Sequence, residues 1–227
     1  KFTMITFFMN YSGMELLVIS VAFIIAIIFA LTIHEFSHSL VATLQGDYTS
    51  RNFGRLTLNP LKHIDPIGFL CLILFGFGWA KPVPINSYKF KNFKKGLFLT
   101  SISGICTNFV ACFLFVGILV LSFGLTPLSQ ILSSSYLIRF CYYLLYFSAS
   151  INLGLAIFNL IPIPPLDGYN AVASFTKGNN KFTEFIRKYG FLILLVILMT
   201  GLMDIIFDAL YAFILPAFEN FWFFIFG

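Results

Sequence analysis

The sequence predicts an all-α polytopic membrane protein, a bundle of about four to five transmembrane helices. Three observations carry this. Of the 227 residues, 59% are apolar and only 10% are charged, against roughly 25% charged in an ordinary soluble domain. Mean hydropathy is +0.93, and 31 residues are Phe, more aromatic surface than a water-soluble fold of this size can hide. The apolar residues also fall into runs that match the roughly 20 residues a helix needs to cross a bilayer. This composition excludes a soluble receptor, regulatory or nucleic-acid domain, and the +5 net charge belongs to membrane topology.

The chain reads as a single domain over 1–227, with a core at 15–170 and C-terminal helices at 182–227. Lys1 followed by Phe2–Met9 is too short and too poorly flanked for a signal peptide. The first long run, 15–45, would be about 46 Å long as a helix. Residues 46–65 are polar and turn-rich. Residues 66–80 are apolar but short and broken by Gly68, Gly76 and Gly78, and 81–95 hold Pro82, Pro84 and a lysine cluster. This connector is expected to form a re-entrant or partly β segment between the first and second core helices. Apolar runs follow at 96–123 and 138–161, the latter stopped by Pro162, Pro164 and Pro165. A fourth covers 189–203. The tail, 204–227, carries Asp204, Asp208, Pro216 and Glu219 and reads as a surface-lying helix or a fraying last span. Cys71, Cys106, Cys112 and Cys141 form no C-x-x-C pair and read as small buried hydrophobes.

His34-Glu35-Phe36-Ser37-His38 interrupts the first run as H-E-x-x-H. Residues i and i+4 share a helix face, so both imidazoles reach one metal ion with Glu35 beside it, placed to take a proton from water. Three titratable residues inside a membrane helix cost a few kcal/mol each, and a bound metal offsets that cost. The chain has 3 His, two of them in this motif. A catalytic zinc wants three protein ligands and an open position. His63, Asp65, Asp47 and Asp167 are the candidates for the third. Asp167 is the strongest, because the prolines leave it at a chain reversal just past a membrane helix, where it also suits a helix N-cap. His63 and Asp65 read better as loop residues.

With these motifs the chain resembles the site-2 protease family of intramembrane zinc metalloproteases (peptidase family M50), compact prokaryotic type. The second family motif, N-x-x-P-x-P-x-L-D-G, reads here as Asn159 to Gly168, and the family's G-x-x-x-N as Gly104 and Asn108. Gly54 to Pro60, His63 to Pro66 and Gly78 to Pro84 are similar to one subgroup. Ile105 and Tyr169 stand where the family often has Pro and Gly; neither is a ligand position. The resemblance implies one Zn²⁺ held by His34, His38 and Asp167, with Glu35 as general base.

Sharing a metal puts His34, His38 and Asp167 at one depth. The first and third spans then end on the same side, the second starts there, and 66–80 does not cross. Twelve of the 14 basic residues fall on that side, leaving Lys1 and Arg139 opposite. The positive-inside rule makes it the cytoplasm. In the second span Ser101, Gly104, Asn108 and Ala111 form a stripe of small and polar residues, as do Ser148, Asn152, Ala156 and Asn159 in the third. Asn108 and Asn159 are the candidate substrate or oxyanion contacts of these stripes. The expected function is zinc-dependent hydrolysis of peptide bonds in transmembrane helices of membrane-protein substrates. It runs in the plasma membrane with the site toward the cytoplasm, and 81–90 offers an edge strand to the unwound substrate. The alternatives are a metal transporter, which would show more intramembrane acids or histidines along a path, and a non-catalytic membrane binder, which would not need Glu35.

Overall fold

A computed structural model describes residues 11–75, 78–175 and 181–226. The N-terminal segment considered as a signal peptide, Gly76 and Lys177 lie outside them. The ordered elements are helices: α1 (Gly13–Leu44), α2 (Pro66–Phe75), α3 (Phe93–Phe123), α4 (Tyr136–Leu160), α5 (Asp167–Ala173), α6 (Lys181–Thr200) and α7 (Leu202–Phe226), with short helical turns between them. Four of them, α1, α3, α4 and α7, are long and apolar enough to cross a membrane.

Helices α1, α3 and α4 pack against one another pairwise. On α1, the fully buried Ala22, Ala26 and Ala30 make a smooth stripe four residues apart, which lets the neighbouring backbones approach closely. Ile19, Phe23 and Ile27 fill the space beside it, against Tyr143 and Phe147 of α4. Gly46, at φ +106°, turns the chain sharply after α1. Asn92 begins α3 by accepting from the Lys95 N–H, and the Lys91 N–H donates to the Gln45 carbonyl at 2.8 Å. The connector 46–92 therefore leaves and returns at the same end of the bundle.

The connector departs from expectation. Among the described residues it contains no strand, and its only β feature is an isolated bridge between Ile64 and Ala80. The expected re-entrant or partly β segment is not supported. Residues 66–75 form a ten-residue helix of about 15 Å, half the hydrocarbon thickness. After it the chain runs without regular structure from Lys81 to Asn86. Pro82 and Pro84 carry no amide hydrogen, so this stretch cannot sustain a ladder. Three buried polar groups pin it. The Arg55 guanidinium donates to the Lys81 and Pro82 carbonyls. The His63 carbonyl accepts from the Lys81 N–H at 2.8 Å. Asp47 accepts from the Asn86 N–H at 2.6 Å.

Burial pushes the Asp47 carboxyl upward, but the Thr49 hydroxyl, the amide hydrogens of Asn86 and Thr49 and the Lys89 ammonium more than reverse this, leaving it below its ordinary 3.8. A carboxyl depressed in the fold stabilises fully above its unfolded value, near 4, and loses that contribution as pH falls through its folded value. Asp47→Asn should therefore cost about 2 kcal/mol at pH 6, and less as the pH drops below about 4. Thermal unfolding of both proteins across pH 3–6 checks this; a constant difference would refute it.

The C-terminal part also differs. The apolar run at 189–203 is divided: 189–200 lie in α6, which begins in the polar stretch at Lys181, and Gly201, at φ +74°, separates them from α7, which takes Leu202 and Met203. The tail is a continuous 25-residue helix despite Pro216, not a fraying end. It lies along α3, where the Trp222 indole N–H donates to the Phe113 carbonyl at 2.9 Å. Phe218 meets the Phe113 ring edge-on, and Phe221 and Trp222 lie tilted against it. Of the cysteines, Cys112 is fully buried, whereas Cys106 and Cys141 lie exposed on the outer faces of α3 and α4, a correction to their expected burial.

Candidate metal centre and active site

His34 and His38 lie one turn apart on the inward face of α1, both buried. Asp167 reaches them from the other side of the bundle. It is the first residue of α5, with Leu166 at the N-cap position, so its carboxylate does not serve as the cap. Gly168 presses this turn against the end of α4: a Cβ there would sit 2.3 Å from the Leu160 carbonyl oxygen. Asp167 Oδ2 stands 3.1 Å from His34 Nε2 and 3.0 Å from His38 Nε2, and the two Nε2 atoms are 3.1 Å apart. Among the described residues this is the one group of three or more His, Cys, Asp or Glu that can hold a metal ion.

The other imidazole nitrogens determine what these atoms offer. His38 Nδ1 lies 2.7 Å from the Thr100 carbonyl, which can only accept, so Nδ1 carries the hydrogen and Nε2 presents a lone pair. His34 Nδ1 faces Asn108 Oδ1 at 2.5 Å, with the same result. Two lone pairs and a carboxylate oxygen thus converge on one point, an arrangement that needs a cation. Ligands held tetrahedrally about 2.0–2.2 Å from Zn²⁺ are separated by about 3.3 Å. The observed triangle fits that spacing, and two His with one carboxylate is a ligand set that catalytic zinc uses.

Gly104 of α3 closes the site from behind. A Cβ on it would lie 2.5 Å from both His34 Cε1 and His38 Nε2. Gly104→Ala should push the imidazoles apart and weaken zinc binding by about 10- to 100-fold, the equivalent of a 1–3 kcal/mol overpacking cost. Gly117→Ala, whose Cβ meets Trp222 at 2.5 Å, should disturb α7 and leave zinc affinity unchanged. Competition with a chromophoric chelator measures both.

A cavity of about 510 Å³ opens onto the triad, lined by His34, Glu35, His38, Thr100, Asn159 and Asp167, and from the connector by residues that include Trp79, Pro82, Val83 and Ile85. Glu35 Oε2 accepts from the Val83 N–H at 3.2 Å. Pro82 and Pro84 flank that donor, which makes it the amide hydrogen of the stretch 82–84. Asn159 lines the cavity and donates to the Leu155 carbonyl at 3.0 Å. Asn108, expected to contact substrate, does not line the cavity. It is 0% exposed and both ends of its amide are committed: Oδ1 to His34, Nδ2 to the Ala30 carbonyl at 3.2 Å and to Asn152 Oδ1 at 2.7 Å.

The remaining third-ligand candidates have other partners. Asp47 and His63 hold the connector, with His63 Nε2 2.7 Å from the Thr57 carbonyl. Asp65 caps α2, accepting from Ile67 and Gly68 N–H at 3.0 and 2.8 Å. Reading the sequence did not single out Arg55, the Val83 N–H or the Thr100 carbonyl for the site, and two of these are backbone groups invisible to residue type. Asn152 did carry a signal, as part of a polar stripe on α4.

The model of peptidase family M50 matches residues 22–200. The chain is 38% identical to "Putative zinc metalloprotease YwhC" of Bacillus subtilis over 185 residues, 79% of this chain and 80% of that protein. It is 28% identical to "Putative zinc metalloprotease Rip2" of Mycolicibacterium smegmatis over 199 residues, 85% and 70% of the two chains. No solved structure matches it significantly.

Proposed function

The chain belongs to peptidase family M50, and from that premise we propose that it is an intramembrane zinc-dependent endopeptidase that cuts transmembrane segments of membrane proteins. The observation that carries the reading is the convergence of His34 Nε2, His38 Nε2 and Asp167 Oδ2 within 3.1 Å of one another, beside a carboxylate that is not part of the triangle.

His34, His38 and Asp167 would hold one zinc ion. When bound, zinc supplies Lewis-acid polarisation of the scissile carbonyl and makes water more acidic. Glu35, next in sequence to a ligand and facing the cavity, accepts a proton from the attacking water and returns it to the leaving amine. The Val83 N–H on Oε2 keeps that carboxylate turned toward the reacting space. Asn159, on the cavity wall, is placed to hold substrate backbone. We assign Asn108 to orienting His34, because its amide has nothing left to offer a substrate.

The bundle supports a multi-pass membrane protein with the site at the basic end. Arg51, Arg55, Lys62, Lys81, Lys89, Lys91, Lys94 and Lys95 all belong to the connector or the first turn of α3, which leaves and re-enters the bundle at the end where Asp167 meets α1. By the positive-inside rule that end faces the cytoplasm of the plasma membrane. His38 lies about 9 Å along the helix axis from Leu44, the last residue of α1, within the cytoplasmic half of the bilayer. A transmembrane helix hides its carbonyls in its own hydrogen bonds, so the substrate must unwind locally to be attacked.

The test is cleavage of a model transmembrane peptide by the purified full chain in detergent. Activity should disappear on chelation and return on adding zinc. Cleavage that survives complete metal removal would overturn the reading.

A further inference from the structure

The zinc-ligand tautomer at His34 is controlled from a helix that contributes no ligand. Asn152 lies on α4 and is 0% exposed. Its Nδ2 donates to the Ser148 carbonyl at 2.7 Å. A backbone carbonyl can only accept, so this contact fixes which end of the Asn152 amide faces away: Oδ1 must point at Asn108. Asn108 Nδ2 then donates to Asn152 Oδ1 at 2.7 Å and to the Ala30 carbonyl at 3.2 Å. Both of its donor contacts end on acceptors, so its Oδ1 is left to face His34 Nδ1 at 2.5 Å. That nitrogen must carry the hydrogen, and Nε2 must present its lone pair to the ion.

We infer that Asn152 is a positioning residue for the metal ligand His34, acting through Asn108, and that the pair forms a polarity relay from α4 through α3 to α1. The inference rests on the zinc-protease reading and deepens it. Rotating either amide by half a turn would set like groups against each other in a dry interior, so the relay has one stable sense. The site is consequently completed only when α4 is docked, although His34 and His38 both sit on α1. His38 has no such dependence: its Nδ1 is held by a carbonyl of α3.

The test uses the full chain in detergent, with zinc affinity measured by chelator competition and the visible spectrum of the cobalt-loaded protein as a second readout. Asn152→Leu, and Asn152→Ala should the leucine disturb packing, should weaken zinc binding about 10-fold and alter the cobalt bands. Asn108→Leu should weaken binding about 10- to 100-fold. The double variant N108L/N152L should be no weaker than N108L alone, because a relay broken once cannot be broken again. Asn152→Ser, whose hydroxyl can donate to the Ser148 carbonyl and still accept from Asn108, should recover affinity and the wild-type bands. Wild-type affinity in N152L and N152A would overturn the relay, as would losses that simply multiply in the double variant. A wild-type chain that binds no zinc would overturn the relay together with the protease reading, so the two failures are distinct.

Discussion

Glu35→Gln should abolish peptide cleavage while the protein keeps its zinc. The amide is nearly isosteric with the carboxylate, and its oxygen can still accept the Val83 N–H that Glu35 Oε2 accepts at 3.2 Å. The ligand triangle of His34, His38 and Asp167 does not include Glu35, so metal content should stay at the wild-type level. What disappears is a group able to take a proton from water and hand it to the leaving amine. General acid–base catalysis of this kind contributes about 10²–10⁴ in rate, and the fall in single-turnover cleavage should lie in that range. Wild-type cleavage by this variant would remove Glu35 from the mechanism. Lost zinc alongside lost activity would make its role structural.

Asp167→Ala should do the reverse and remove the metal. Without the carboxylate, two lone pairs held 3.1 Å apart face each other with no anionic partner. Partners that merely orient a ligand are worth 10- to 100-fold in affinity, and deleting a ligand should exceed that. After gel filtration the variant should retain little zinc, where the wild type retains about one ion per chain. Its helices should remain folded, because the Asp167 carboxylate makes no cap bond to α5 and Gly168 wedges that turn against α4 independently of it. Full zinc occupancy in this variant would move the third ligand elsewhere.

Much of this site is legible in the sequence because its requirements are local. Two histidines four apart on an apolar helix can be read without a structure, and the prolines before Asp167 announce the reversal that returns it to the bundle. That the connection between them starts and ends on one side follows from the shared metal, the clustering of basic residues is consistent with it, and the Lys91–Gln45 contact agrees with it. The partners of Asn108 are not legible because an amide's two ends look alike in a sequence. Which end faces His34 depends on Asn152 and on backbone carbonyls of two other helices. The tail was only partly legible because Asp204, Asp208 and Pro216 weaken its apolar signal, although Leu202–Phe226 is one helix long and apolar enough to cross a membrane. Pro82 and Pro84 were compatible with an extended edge, but their missing amide hydrogens leave that edge unpaired.

The size of the chamber above the triad limits how a substrate is read. One turn of helix with its side chains fills a cylinder on the order of 500 Å³, and the chamber measures about 510 Å³. On the proposed function, a chamber of that size would take on the order of four residues of a guest chain at once. Selectivity should then depend on how readily that brief window yields its helical bonds, more than on the identity of distant side chains. A glycine or proline moved by a few positions along an otherwise constant membrane segment should carry the cut with it.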